Sequence, residues 1–257
     1  MADIAPSSTG TILNLSFYRF TSLPEREHLG GLRARFQSLC GNLGLKGTIL
    51  LSAEGINGFL AGPEDAIRDF QETMNTATDL APHFGGIFYK ESWSHSVPFR
   101  RMKVKLKNEI ITMGVPGIRP TLKTGDRVPA RDLKEWLDQG REVVLVDTRN
   151  DYEVDKGTFE GALDWRLKSF REFPALLQAH AEELKGKPVV MFCTGGIRCE
   201  KATALALELG IDQVYQLEGG IIRYFEEVGG AHYRGGCFVF DERVALQADL
   251  APEREAG

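Results

Sequence analysis

Apolar residues follow two different patterns along this chain of 257 residues. In the first hundred residues, short runs such as TILNLSFYRF predict strands, and residues 24–43 have the three-to-four-residue spacing of a helix. Further along, solid apolar runs such as EVVLVDTR and PVVMFC lie between helical segments. Strands without polar alternation are typical of a parallel sheet that is covered on both faces.

The order of these elements predicts two domains and an α/β protein. The first half reads strand, helix, strand, strand, helix, strand, which is the order of a ferredoxin-like (acylphosphatase-like) α+β unit. The second half alternates strands and helices, as a parallel α/β domain does. The predicted divisions are a flexible N-terminus over 1–10, the ferredoxin-like domain over 11–118, the parallel α/β domain over 119–230, and a C-terminal tail with one strand over 231–257. The Gly- and Pro-rich residues 114–129 are the predicted linker.

Composition and charge exclude several classes of protein. Hydrophobic content of 42% and charged content of 26% are those of a soluble globular protein. No run reaches the roughly 18 apolar residues of a membrane span, and the first residues lack the apolar core of a secretion signal. Four cysteines are too few for a disulfide framework, so we expect a reduced, cytoplasmic protein. The net charge of −5 argues against a general nucleic-acid binder.

The charge is unevenly shared between the two halves. Residues 1–118 hold 12 Lys and Arg against 11 Asp and Glu, whereas the remainder holds 19 against 25. The densest positive block, RRMKVKLK, alternates as a strand with its cations on one side. Two interpretations fit: a solvated edge strand, or an RNA surface with aromatic residues nearby. The candidate RNA-binding residues are Arg100, Arg101, Lys103, Lys105 and Lys107.

Candidate chemistry is concentrated in the sequence CTGGIRC, where Cys193 ends an apolar strand and a helix follows. Ligands of parallel α/β sheets bind where strands end and helices begin. Two glycines let successive N–H groups converge, and Arg198 supplies a cation that stabilises a thiolate or holds an anion. Cys193 and Arg198 are therefore the candidate catalytic residues. The active-site loop between them consists of Thr194, Gly195, Gly196 and Ile197.

This loop resembles that of rhodanese-type sulfurtransferases, and so do VVLVDTRNDYEVDKGTFEGA and YQLEGGIIRY. The second domain is therefore predicted to be rhodanese-like. Four residues separate Cys193 from Arg198, whereas the related phosphatases need five to surround a larger phosphate, so a phosphatase is disfavoured. Asp147 and Arg149 are candidate pocket supports. They either line the pocket or form a salt bridge that shapes the loops.

Four separated stretches resemble the bacterial tRNA uridine hydroxylase family: LKGTILLSAEGINGFLAGP, PFRRMKVKLKNEIITMGVPGI, MFCTGGIRCEKA and CFVFDERVA. The resemblance implies 5-hydroxylation of the wobble uridine, with tRNA as the partner through its anticodon region and dioxygen as co-substrate. It also implies Cys193 as a persulfide-carrying cysteine, served by a sulfur donor or a reductant protein. The alternatives are a plain sulfurtransferase, working through a Cys193 persulfide, and a binding module that retains only the fold.

The remaining candidates have weaker signals. Cys199 is either a resolving thiol for Cys193 or a small residue packed under the loop. Cys40 is expected in the core and Cys237 in a structural role, although the tail could bring Cys237 near the site. No zinc or other metal motif and no cofactor fingerprint is evident. The segment formed by Glu54, Gly55 and Asn57 is predicted to form a turn.

Overall fold

In the computed structural model of the chain, residues 11–238 and 245–246 are described. They divide into two compact units, with the division between Ile110 and Ile111. None of the helices in these residues is long and apolar enough to cross a membrane. The predicted flexible N-terminus, residues 1–10, lies outside the described residues.

The first unit is built on a five-stranded sheet with the order β4-β1-β3-β2-β5. Its strands are β1 (Ile12–Phe20), β2 (Lys46–Ser52), β3 (Gly55–Gly62), β4 (Tyr89–Ser94) and β5 (Met102–Leu106). The first four pair antiparallel in the ferredoxin-like order, which confirms the predicted fold, and β5 joins β2 in parallel at the edge.

The helices of this unit cover one face of the sheet. They are α1 (Gly30–Asn42), α2 (Glu64–Thr76) and the short α3 (Ala81–Phe84). Strand alternation places Leu13 and Leu15 of β1 in the core beneath them, where Phe36 of α1 and Phe70 of α2 are also fully buried. Cys40 of α1 lies in the same core, as predicted from helical spacing.

The predicted turn at Glu54 has an additional role. The Glu54 carboxylate accepts a hydrogen bond from the Ile110 backbone N–H (2.6 Å), and the Asn57 side chain donates to the Ile110 carbonyl (3.1 Å). The turn itself consists of Ala53 and Glu54, whereas Gly55 and Asn57 belong to β3, so the turn and the start of β3 together hold the last residue of the first unit.

The second unit contains a parallel sheet with the order β6-β11-β10-β7-β9. These strands are β6 (Asp126–Val128), β7 (Val144–Asp147), β9 (Leu163–Asp164), β10 (Val189–Phe192) and β11 (Val214–Leu217). The helices are α4 (Ala130–Asp138), α5 (Asp151–Val154), α6 (Phe173–Leu184), α7 (Ile197–Glu208) and α8 (Gly220–Val228).

Both faces of this sheet are buried, as the solid apolar runs predict. Val189 and Met191 of β10 face a core shared with α6 and α7. Val190 and Phe192 face a second core shared with α4 and α8. Because side chains alternate along a strand, β10 contributes apolar side chains to both cores. This arrangement confirms the predicted α/β class.

The division between the units lies eight residues before the predicted boundary at 118. Met113 and Ile118 are buried in the core of the second unit, and Ile111 packs against that core. The segment therefore belongs to the second domain, because its apolar side chains are buried there rather than exposed along a linker.

The C-terminal tail contains more than the one predicted strand. Strand β12 (Tyr233–Gly235) pairs antiparallel with β8 (Gly157–Phe159), and β13 (Cys237–Phe238) pairs with β14 (Ala245–Leu246). A break at Gly236 separates β12 from β13. Gly235, just before this break, has a φ of +78°, and a Cβ added there would lie 2.3 Å from the Lys156 carbonyl oxygen, so this position requires glycine. The tail is thus divided into short strands.

Candidate active site

The loop over 193–198 follows β10, which is the central strand of the parallel sheet. Cys193 is fully buried, and its Sγ accepts a hydrogen bond from the Gly196 backbone N–H at 3.0 Å. Gly196 has a φ of +97°, a left-handed conformation that glycine adopts without steric cost, and α7 begins at the next residue. The backbone thus turns back over the sulfur, as the Gly-Gly pair predicts.

The amino end of α8 supports this loop through two backbone hydrogen bonds. The N–H groups of Ile221 and Ile222 donate to the carbonyls of Cys193 (3.0 Å) and Thr194 (3.2 Å). Gly220 has a φ of +70°, and a Cβ added there would lie 2.5 Å from the Cys193 carbonyl oxygen. The sequence EGGII therefore requires glycine at Gly220, where backbone approaches backbone.

Arg198 forms a two-pronged ion pair with Glu153, a residue of the short helix α5. Its two terminal nitrogens lie 2.6 and 2.7 Å from the two Glu153 oxygens, and both side chains are buried. Thr194 donates its hydroxyl to the same carboxylate at 3.2 Å, and the Asn150 N–H donates to it at 3.1 Å. The orientation of the Arg198 side chain is therefore fixed by the Glu153 carboxylate of α5.

The environment of Cys193 favours the thiolate. Burial by itself raises the pKa of this thiol, but several contacts act in the opposite direction. A hydrogen bond with the Cys199 side chain, the charge of Arg198, and the N–H groups of Arg198 and Gly196 hold the pKa of Cys193 well below its ordinary value. The loop therefore holds this sulfur in the thiolate form, which is the form of cysteine that can act as a nucleophile.

Cys199 lies in the first turn of α7 and is fully buried beside Cys193. Burial and the neighbouring Cys193 sulfur raise the pKa of Cys199 well above its ordinary value. The Thr148 hydroxyl lies 3.8 Å from the Cys199 sulfur. Cys199 is thus a protonated thiol beside a thiolate, a position that fits both a partner for Cys193 and a small residue packed under the loop.

Asp147 and Arg149 pair with each other at the end of β7. Arg149 Nη2 lies 2.7 Å from Asp147 Oδ2, and both side chains have no exposed surface. Arg149 also donates to the Gly157 carbonyl (2.6 Å), and the Thr158 hydroxyl donates to Asp147 (2.8 Å). The structure thus contains the loop-shaping salt bridge, which ties β7 to β8.

Cys237 lies closer to the site than its sequence position suggests. It is fully buried, its side chain hydrogen-bonds to that of Thr194 in the loop, and burial raises the pKa of Cys237 to about 12. Burial also raises the pKa of Cys40 to about 12. Both are therefore protonated thiols.

The cationic stripe belongs to the first unit and the Cys193 loop to the second. Lys103 and Lys105 are in β5, with Lys107 just after its end and Arg100 and Arg101 just before its start. Within the described residues there is no group of three or more His, Cys, Asp or Glu side chains that could hold a metal ion.

Sequence reasoning missed Glu153. A signal was present, because Asn150 and Glu153 have the N-x-x-E spacing of a helix-capping box, in which the glutamate accepts a hydrogen bond from the N-cap N–H. That signal predicts the start of α5. The pairing of Glu153 with Arg198 depends on contact between α5 and the first turn of α7, which are distant in sequence.

Comparisons with known proteins agree with both domains. Residues 12–110 match the UPF0176 acylphosphatase-like domain, and residues 129–227 match the rhodanese-like domain. A protein of Burkholderia mallei (strain NCTC 10229), named tRNA uridine(34) hydroxylase, is 54% identical over 247 residues, which cover 94% of this chain and 82% of the relative.

A protein of the same name from Burkholderia ambifaria (strain MC40-6) is 53% identical over 247 residues, which cover 94% of this chain and 86% of the relative. The match to each relative therefore extends over nearly the whole of this chain. This chain belongs to the tRNA uridine(34) hydroxylase family.

Proposed function

We propose that this protein hydroxylates C5 of the wobble uridine of tRNA, with dioxygen as the oxidant and Cys193 as the reactive group. The observation that carries the proposal is the family membership, with 54% identity to a protein named tRNA uridine(34) hydroxylase over 94% of the chain. The retained cysteine loop adds to it, because a buried thiolate has no use in a protein that only binds RNA.

A thiolate has a definite use in chemistry at C5 of uracil. C6 of the ring is conjugated with the C4 carbonyl and is electrophilic, so addition of the Cys193 sulfur to C6 makes C5 nucleophilic toward dioxygen. Release of the product breaks the C6–S bond and removes the C5 proton. The N–H groups and Arg198 stabilise the sulfur as an anion before addition and again on release.

The balance of this reaction requires a reductant. One oxygen atom of dioxygen enters C5 and the other becomes water, which takes two electrons and two protons. Dioxygen adds at C5 as a peroxide; the Cys199 thiol protonates it and takes its outer oxygen as a sulfenic acid, and the oxygen left on C5 takes up the proton that C5 loses. When elimination has freed Cys193, its thiolate displaces hydroxide from the Cys199 sulfenic acid to form a disulfide, and a proton from solvent completes the water. An external thiol or reductant protein then restores both thiols. The contact between the two sulfurs supports this role for Cys199.

The test is mass spectrometry of tRNA nucleosides from a strain that lacks the gene. We expect 5-hydroxyuridine and its derivatives at the wobble position to be lost in this strain and restored by the wild-type protein but not by Cys193→Ser. Cys40→Ser is the matched control, since it removes a buried thiol from the first unit. Full restoration by Cys193→Ser would contradict the role of the sulfur.

The second candidate function is sulfur transfer through a Cys193 persulfide. The rhodanese-like domain match and the four-residue spacing between Cys193 and Arg198 favour it. Thiosulfate:cyanide turnover, together with unchanged wobble uridine in the deletion strain, would support this function over hydroxylation.

A further inference from the structure

The ferredoxin-like sheet presents two chemically different faces. Leu13, Leu15 and Phe17 of β1 are buried in the core under the helices. Side chains alternate along a strand, so Ser16 and Tyr18 point to the face away from that core. The same alternation applies to the other strands and decides which residues share this second face.

The strand register places Phe59 and the lysines of β5 on this second face. Phe59 of β3 is paired with Ser16 of β1 and with Thr48 of β2, and Thr48 is paired with Lys103 of β5. Phe59 and Lys103 are therefore separated by a single strand, and Phe59 is partly exposed. In the next row Leu50 is paired with Lys105, which is exposed.

Two further cations extend the group at the same sheet edge. Lys46 precedes Thr48 by two residues and Arg101 precedes Lys103 by two, so alternation gives each the same direction as its neighbour. Both are exposed. We call the resulting surface the lysine face. It consists of Lys46, Phe59, Arg101, Lys103 and Lys105.

The lysine face has no opposing charge within its own sheet. Among the residues of β1 to β5 the one carboxylate is Glu91, and it pairs with Arg68 of α2 on the helical side. In the part of the chain that the structure describes, the four cations of the lysine face have no ion-pair partner. A row of unneutralised cations beside an aromatic ring suits a polyanion with flat, unpaired bases.

Resting on the proposed function, we propose that the lysine face binds the single-stranded part of the tRNA substrate, with cations on the phosphates and Phe59 stacked on a base. In a duplex the faces of the bases are inaccessible to a side chain, whereas in a loop they are available. A sheet face with an aromatic residue on its central strand suits unpaired bases for this reason.

The test is the affinity of the full-length protein for an anticodon stem-loop RNA, measured over a series of salt concentrations. Phe59→Leu keeps the site apolar but removes the aromatic ring, and we expect affinity to fall about fivefold or more. Lys105→Gln is expected to reduce the slope of log affinity against log salt by about 0.7, the value for one contact to a single strand. A Lys103→Gln/Lys105→Gln double variant is expected to reduce the slope about twice as much.

The matched control is Lys187→Gln, which removes one exposed positive charge from the second unit, just before β10. It should leave the salt slope unchanged. Circular dichroism and thermal unfolding of each variant establish that it is folded. Unchanged RNA affinity in folded Phe59→Leu and Lys105→Gln, or equal affinity for a duplex of the same length, would overturn the proposal.

The binding measurement is independent of the hydroxylation. It needs neither dioxygen nor turnover, so it reports RNA binding alone. If the wild type binds the RNA through the lysine face but tRNA from the deletion strain is unchanged, the proposed reaction fails and the surface assignment stands. If hydroxylation is found but the Phe59 and Lys105 variants bind RNA normally, the proposed reaction stands and the surface assignment fails.

Discussion

The Glu153 carboxylate accepts two hydrogen bonds from Arg198, at 2.6 and 2.7 Å, across 45 residues of sequence. The pair joins α5 to the cysteine loop, and Thr194 in the loop donates to the same carboxylate. Burial raises the pKa of Glu153, but Arg198, the Asn150 N–H and the charge of Arg149 together outweigh this effect and lower the pKa. The cation beside Cys193 is thus held by a buried anion.

Glu153→Gln removes that anion while keeping the shape of the side chain. Arg198 is then a buried charge without its counter-ion, and we expect the free energy of unfolding to fall by about 3–5 kcal/mol. Urea denaturation measures this change. The control Glu160→Gln removes an exposed carboxylate from the same domain and should change stability little. Equal stability of the two variants would show that the ion pair does not contribute.

The pH dependence of the Cys193 thiolate can be measured by its ultraviolet absorbance, taken as the difference between the wild type and Cys193→Ser. An ordinary thiol has a pKa of about 8.5. Because the folded pKa is lowered, the thiolate signal should persist well below that pH. The corresponding stability is fully present above about pH 8.5 and is lost as the pH falls through the folded pKa.

Arg198→Gln should move this titration to higher pH, because it removes the cation that stabilises the thiolate. Cys40 and Cys237 should give no thiolate signal near neutral pH, since burial raises the pKa of each to about 12. A Cys193 titration at the ordinary thiol pKa would contradict the assignment of Cys193 as the nucleophile.

Gly220→Ala tests the support of the loop by α8. The positive φ of +70° costs any L-residue about 1–2 kcal/mol, and the new Cβ would also lie 2.5 Å from the Cys193 carbonyl. Gly140→Ala is the matched control, with a φ of +64° and open space around the added Cβ. We expect both variants to lose stability but only Gly220→Ala to lose wobble hydroxylation. Equal activity of the two would show that the close contact is not needed.

Cys199→Ser tests the proposed source of electrons. Fully reduced wild type, given dioxygen and RNA without a reductant, should form at most one 5-hydroxyuridine per chain and a disulfide between Cys193 and Cys199. Peptide mapping detects this disulfide. Cys199→Ser should form little product, and Cys237→Ser tests whether the third buried thiol near the loop can substitute. Repeated turnover by Cys199→Ser without a reductant would eliminate the dithiol.

Local patterns in the sequence determined the two folds and the position of the reactive loop. Solid apolar runs such as 189–192 predict buried parallel strands, because a strand covered on both faces has no position for polar alternation. Cys193 at the end of such a run, followed by two glycines and Arg198, predicts a thiolate because the strand end, the turn and the helix start are all local features.

Tertiary structure decided what surrounds that loop. Glu153 reaches Arg198, Gly220 lies against the Cys193 carbonyl, and Cys237 hydrogen-bonds to Thr194 only because the fold brings distant segments together. The division before Ile111 likewise depends on which core buries the apolar side chains after it. Periodicity in the sequence shows which face of its own strand or helix a side chain lies on. It does not show which other element packs against that face, because this depends on how segments distant in sequence come together.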